Sequence, residues 1–118
     1  IKQVPDKDSQ FEIAQDQLDI ANENITWVTN ESDNYALEEA LLLKENHGGE
    51  VIACTLGNEN AKQVLKDALA KGADRGIFIS NDSIEKSDIL TIAKIIATET
   101  RAITPSWPIL FNINAKFW

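Results

Sequence analysis

The chain has 118 residues, 43% of them hydrophobic and 25% charged, which suits one small domain with a core and excludes a wholly disordered or fibrous chain. Its formal net charge of −8 repels phosphate backbones and anionic headgroups, so neither nucleic acid nor membrane is expected as a partner. The single cysteine, Cys54, excludes an internal disulfide framework and fits a reducing compartment.

The chain starts at Ile1 rather than Met and reads as a piece of a longer sequence. Lys2, Asp6, Lys7 and Asp8 interrupt any signal-peptide core, and no apolar run approaches the roughly 18 residues of a membrane span. The expected location is the cytoplasm of a bacterium or an organelle matrix. Phe11-Glu12-Ile13-Ala14 and Ile25-Thr26-Trp27-Val28 are short β-prone pieces, expected to form an edge hairpin.

Between Asp33 and His47, Ala36, Leu37, Ala40, Leu41 and Leu43 recur at helical spacing, with Ser32 expected as N-cap and Gly48 as the stop. The apolar run Val51 to Leu56, closed by Gly57, is too short for a helix and predicts a strand buried on both faces. Asn58 or Asn60 then caps a helix whose Ala61, Leu65, Ala68 and Leu69 form one stripe, ended by Gly72. Gly76 to Ser80 predicts the next strand. A third helix is expected to start at Ser87 as N-cap, with Ile89, Ile92, Ala93, Ile96 and Ala97 on one face.

Strands alternating with helices imply a parallel sheet covered on both faces, so the fold class is α/β. After Thr100 the character changes: Pro105 and Pro108 lie close together, and Trp107, Phe111, Phe117 and Trp118 form an aromatic-rich tail. Ile109 to Ile113 reads as one further strand.

Ligands of open α/β sheets bind at the carboxyl ends of strands, here Leu56-Gly57-Asn58 and Ser80-Asn81-Asp82. Gly57 allows close backbone approach to a phosphate, although a lone glycine there is most often only a turn. Neither a GxGxxG nor a GxxxxGK[ST] fingerprint is present. Cys54 has no His or basic neighbour in sequence to activate it and reads as a packing residue. His47 reads as a helix C-terminal charge, and one Cys with one His is too few for a metal site. Glu38 and Glu39 point about 100° apart on a helix and share no site. No nucleophile, base and orienter constellation is visible, so the chain is expected not to be an enzyme.

Three segments resemble the β subunit of electron transfer flavoproteins, in the family's order and near its spacing. They are Ile1-Lys2-Gln3-Val4-Pro5-Asp6; Asn30 followed by Tyr35-Ala36-Leu37-Glu38-Glu39-Ala40-Leu41 and, through Leu43-Lys44-Glu45, Gly48-Gly49-Glu50-Val51; and Ala68-Leu69-Ala70-Lys71-Gly72-Ala73-Asp74-Arg75. The resemblance covers Ile1 to about Ala97. It implies a three-layer Rossmann-like parallel sheet of the adenine nucleotide alpha hydrolase-like type, incomplete at both ends. It also implies a heterodimer with an α subunit, carrying FAD and, in the β subunit, AMP or a second FAD, with electrons received from dehydrogenases.

Carried over residue by residue, the family's nucleotide contacts fall on Asn30 and Leu56, with Lys2 beside the same pocket and Gly57 following Leu56. Glu31-Ser32 replaces the Pro and aromatic residue common after that Asn. After Thr100 neither the family's next strand nor its Asp-, Gln-, Thr- and Gly-rich phosphate loop is found. Residues 1–100 are therefore expected to be the N-terminal part of a β-type domain, and 101–118 an atypical tail. Two rival expectations are a stand-alone adenine-nucleotide-binding domain of the universal stress protein or α-hydrolase type, and an inactive truncated interaction module. The rivals differ in their marks: a Gly-rich loop for the first, an exposed aromatic tail for the second.

Overall fold

The structure, a computed structural model, describes residues 1–9, 13, 25–80 and 88–103. Strands β1 (Gln3–Pro5), β2 (Trp27–Thr29), β3 (Ile52–Gly57) and β4 (Arg75–Ser80) combine with helices α1 (Glu31–His47), α2 (Lys62–Lys71) and α3 (Ile89–Ile103), and a 3-10 turn over Glu59–Ala61 leads into α2. The mixed α/β class is as expected, with β3 and β4 parallel from Ile52↔Arg75 to Gly57↔Ser80.

β1 and β2 form an antiparallel ribbon, with Val4 opposite Val28. The strand expected near Ile25 to Val28 is thus present one or two residues later, and its partner among the described residues is Gln3–Pro5; Phe11, Glu12 and Ala14 of the expected hairpin lie outside the described residues. The ribbon is favoured because further backbone bonds extend it at both ends, Asp6 N–H to Thr26 O at 2.7 Å and Asn30 N–H to Lys2 O at 3.0 Å. Of Phe11 to Ala14 only Ile13 is described, 77% exposed.

The core lies where α1 and α2 meet one face of the parallel pair. Leu37, Ala53, Leu65, Ala68 and Ala73 form one buried cluster, and Ile1, Leu41, Val51 and Phe78 pack around it. Small side chains permit this close approach: Ala68, 1% exposed, lies on the inner face of α2, and Leu65 packs over Gly76, where a Cβ would make ordinary contact at 3.6 Å. The buried stripe of the turn and α2 is Ala61, Val64, Leu65 and Ala68; Leu69, expected in it, is 43% exposed. Val64 completes the i, i+3, i+4, i+7 pattern, and Leu69 falls at its edge.

Burial on both faces of β3 is not what the structure shows. Ala53 and Thr55 are buried, whereas Ile52, Cys54 and Leu56 on the alternate face are only half-buried. Thr55 stands 2% exposed, and its hydroxyl has no hydrogen-bond partner among the described residues. On α3 the half-buried positions are Ile92, Ile95, Ile96 and Thr100, while Ile89, Ala93 and Ala97 are exposed. The expected face is therefore displaced by about one residue.

Two helix starts also differ from expectation. α1 begins two residues earlier than predicted, behind Asn30 rather than Ser32, because Lys2 N–H donates to the Asp33 carboxylate at 2.7 Å and draws the first turn onto the ribbon. α3 is capped by Asp88, whose carboxylate accepts from the Thr91 amide at 2.9 Å and hydroxyl at 3.0 Å. These bonds hold the Asp88 carboxyl below the ordinary Asp value. Ser87 lies outside the described residues, as do residues 104–118 with the strand expected at Ile109 to Ile113.

The strand beginnings are clipped together by Asp74. Its carboxylate accepts from Lys44 Nζ at 2.6 Å and from Val51 N–H at 2.8 Å, and its own N–H donates to Val51 O at 2.9 Å. One side chain thus joins the end of α1 to the starts of β3 and β4. Lys44 first, then the Val51 amide, hold the Asp74 carboxyl below its ordinary 3.8. The native state therefore takes up this proton less readily than the unfolded chain. Its stabilising effect is complete above the ordinary value and fades as the pH falls through the lowered native one. Asp74→Asn should lower the melting temperature at neutral pH and flatten the acid limb of a melting-temperature profile below pH 3.8. An acid limb as steep as that of the parent chain would contradict this.

Candidate functional site

The extended backbone of β2 ends at Asn30, which occupies the N-cap position of α1 with φ −56° and ψ 133°. Its carbonyl accepts from Asp33 N–H at 3.0 Å and Asn34 N–H at 3.1 Å, and its N–H donates to Lys2 O at 3.0 Å. The side-chain amide makes no cap hydrogen bond. The backbone alone therefore anchors Asn30, and its half-buried amide keeps both a donor and an acceptor for another group. Capping, the structural role open to this residue, does not employ the side chain.

Lys2 joins Asn30 directly across the ribbon's end, with Asp33 as the third member of the junction. One residue earlier, the Ile1 nitrogen donates to Cys54 O at 2.7 Å, which sets this junction beside β3. Leu56 and Gly57 end that strand. Two groups result: Lys2 with Asn30, and Leu56 with Gly57, linked through the Ile1 to Cys54 bond.

Gly57 has a structural duty that the sequence leaves open. A Cβ there would lie 2.9 Å from Ala61 Cβ, so the turn after β3 closes tightly only because position 57 has no side chain. Asn58 then caps that turn through its side-chain oxygen, 3.1 Å from Asn60 N–H.

Cys54 is poorly placed to act as a nucleophile. Burial is the largest cause raising the Cys54 thiol above its ordinary value, with Glu99 adding to it, so the thiolate needed for nucleophilic attack is disfavoured. Among the described residues no group of three or more His, Cys, Asp or Glu could hold a metal ion.

Two cavities lie between the ribbon and α2, and none of Lys2, Asn30, Leu56 and Gly57 lines either. The first, of about 470 Å³, is walled by Gln3, Trp27, Glu59, Lys62, Gln63 and Lys66 among others. The second, of about 410 Å³, involves Trp27, Thr29, Asn34, Asp67 and Lys71. Lys62 pairs with Glu59 and lies 4.9 Å from the centre of the Phe78 ring. Sequence reading missed this surface; the available signal was Lys62 and Lys66 at i, i+4 on α2.

The family model for the electron transfer flavoprotein domain matches residues 17–110. Among curated proteins, the chain is 38% identical over 78 residues to the electron transfer flavoprotein subunit beta of Bacillus subtilis, covering 65% of this chain and 30% of that one. It is 37% identical to the protein FixA of Azorhizobium caulinodans over 87% of this chain and 36% of the other. With the electron transfer flavoprotein subunit beta of Methylophilus methylotrophus it shares 31% identity over 89% of this chain and 40% of the other. The chain thus spans 30% to 40% of the length of these relatives.

Gly57→Ala should destabilise the domain by about 1–3 kcal/mol, because two backbone-anchored carbons would have to separate. Urea unfolding measures this, and a change under about 0.5 kcal/mol would show that the turn yields freely.

Proposed function

The chain belongs to the electron transfer flavoprotein family, as a β-type member, and from that membership we propose that it serves as the β subunit, or part of it, in a heterodimeric electron carrier. In this reading it helps bind AMP or FAD, assembles with an α subunit, and passes on electrons received from dehydrogenases without transforming a substrate of its own. The parallel pair β3 and β4 would belong to a three-layer Rossmann-like sheet, working in a bacterial cytoplasm or an organelle matrix. No helix among the described residues is long and apolar enough to cross a membrane.

The observation that carries the nucleotide reading is Asn30: a half-buried amide, fixed by its backbone and free of cap bonding. An amide suits the edge of an adenine or a ribose, since it both donates and accepts. Leu56, half-buried at the carboxyl end of a parallel strand, offers an apolar contact where ligands of such sheets are bound. A bound flavin supplies the redox chemistry. The chain's part is to bind and orient: Asn30 meets the nucleotide's polar edge, Leu56 excludes water, and the Lys2 to Asp33 bond holds the start of α1 in place.

The test is the nucleotide released when the purified chain is denatured, identified by mass, alone and after coexpression with an α-type subunit. AMP or FAD approaching one per chain is expected. Asn30→Ala should weaken retention roughly five- to tenfold, the loss of one hydrogen bond, with an unchanged melting temperature. Unaltered retention in the variant would overturn the role of Asn30, and an empty parent chain even with its partner would overturn the nucleotide reading.

A further inference from the structure

The two cavities between the ribbon and α2 share Trp27 and so form one groove. Its helical wall runs from Glu59 to Lys71, a rise of about 18 Å at helical spacing. A strand of about five or six residues has that length.

The wall is basic in a chain that is otherwise acidic. Lys62, Lys66 and Lys71 face only Glu59 and Asp67 in the lining, against a formal net charge of −8 for the whole chain. Lys62 is committed to Glu59 and Phe78, Lys71 donates to Asn34 Oδ1 at 2.7 Å, and Asp67 accepts from Gln63 and Thr29. Lys66 has no hydrogen-bond or ion-pair partner among the described residues. Trp27, half-buried at the junction of the two cavities, offers an apolar surface with a polar tip of the kind that anchors interfaces.

We propose that the groove between the β1–β2 ribbon and α2 docks an extended acidic segment of a partner protein, with Lys66 meeting a carboxylate and Trp27 packing against an apolar side chain beside it. Charge sets the specificity: the chain as a whole repels an acidic segment, and the three lysines against two carboxylates in this lining give it a local positive surplus on which to settle. The proposal goes beyond the nucleotide reading and is independent of it, because Lys2, Asn30, Leu56 and Gly57 lie outside the groove lining.

Fluorescence anisotropy of the full chain with a fluorescein-labelled peptide of about six alternating Glu and Leu residues, and with its Lys and Leu counterpart, tests the proposal. Net charge alone predicts preference for the Lys peptide; the groove predicts saturable binding of the Glu peptide, roughly tenfold tighter or more. Lys66→Glu should weaken that binding by roughly tenfold, whereas Lys94→Glu on α3 should change it less than about twofold. Lys66 is exposed, so the variant should melt with the parent by circular dichroism; Trp27→Ala provides a second, uncharged probe and should also weaken binding. No saturable binding of the Glu peptide, preference for the Lys peptide, or equal effects of Lys66→Glu and Lys94→Glu would each overturn the proposal.

Discussion

What the described structure depends on is the seam of small residues between α2 and the parallel pair. Ala53 on the strand, Ala61 and Ala68 on the turn and helix, and Gly57 at the strand's end let α2 lie against β3 and β4, with Leu65 packed over Gly76. A larger residue on this seam would push the helix outward, because interiors packed this tightly have no slack. With the helix seated, β3 and β4 run in register to Gly57 and Ser80, and the strand ends reach the surface side by side. The Asp74 clip closes the opposite end, about 20 Å away along the strand. The clip thus lies at the opposite end of the sheet from the strand ends proposed to meet a nucleotide.

Much of this architecture was legible because it rests on local patterns. The apolar run ending at Gly57, the stop at Gly72 and the helical stripe around Leu37 each specify their element from a few neighbouring residues. The departures arise where distant residues decide. Nothing near Ser32 reveals that the Lys2 amide will bind Asp33 and draw the start of α1 back to Asn30. Nothing in Trp27-Val28-Thr29 names the distant Gln3-Val4-Pro5 as a partner. The expected burial of β3 on both faces followed from its unbroken hydrophobicity, yet only the face toward α2 is closed.

The candidate site divides in the same manner. Periodicity alone would have left Asn30 as a capping residue and Gly57 as a turn. Resemblance to a family brought them together, and the structure then separates their duties: Gly57 is already required by Ala61, while the amide of Asn30 is left unused by the helix it precedes. The lysine-lined groove gave no sequence signal strong enough to notice, because its walls come from the ribbon and from α2, far apart in the chain. A carrier subunit needs surfaces for a nucleotide and for protein partners rather than a reacting side chain.

The most direct test of the nucleotide reading is a titration of the isotope-labelled chain with AMP and with FAD, followed by amide chemical shifts. The account predicts that the largest shifts fall on Lys2, Asn30, Leu56 and Gly57, with the Trp27 and Lys66 groove unmoved. Shifts concentrated in the groove, or none at saturating nucleotide, would contradict it.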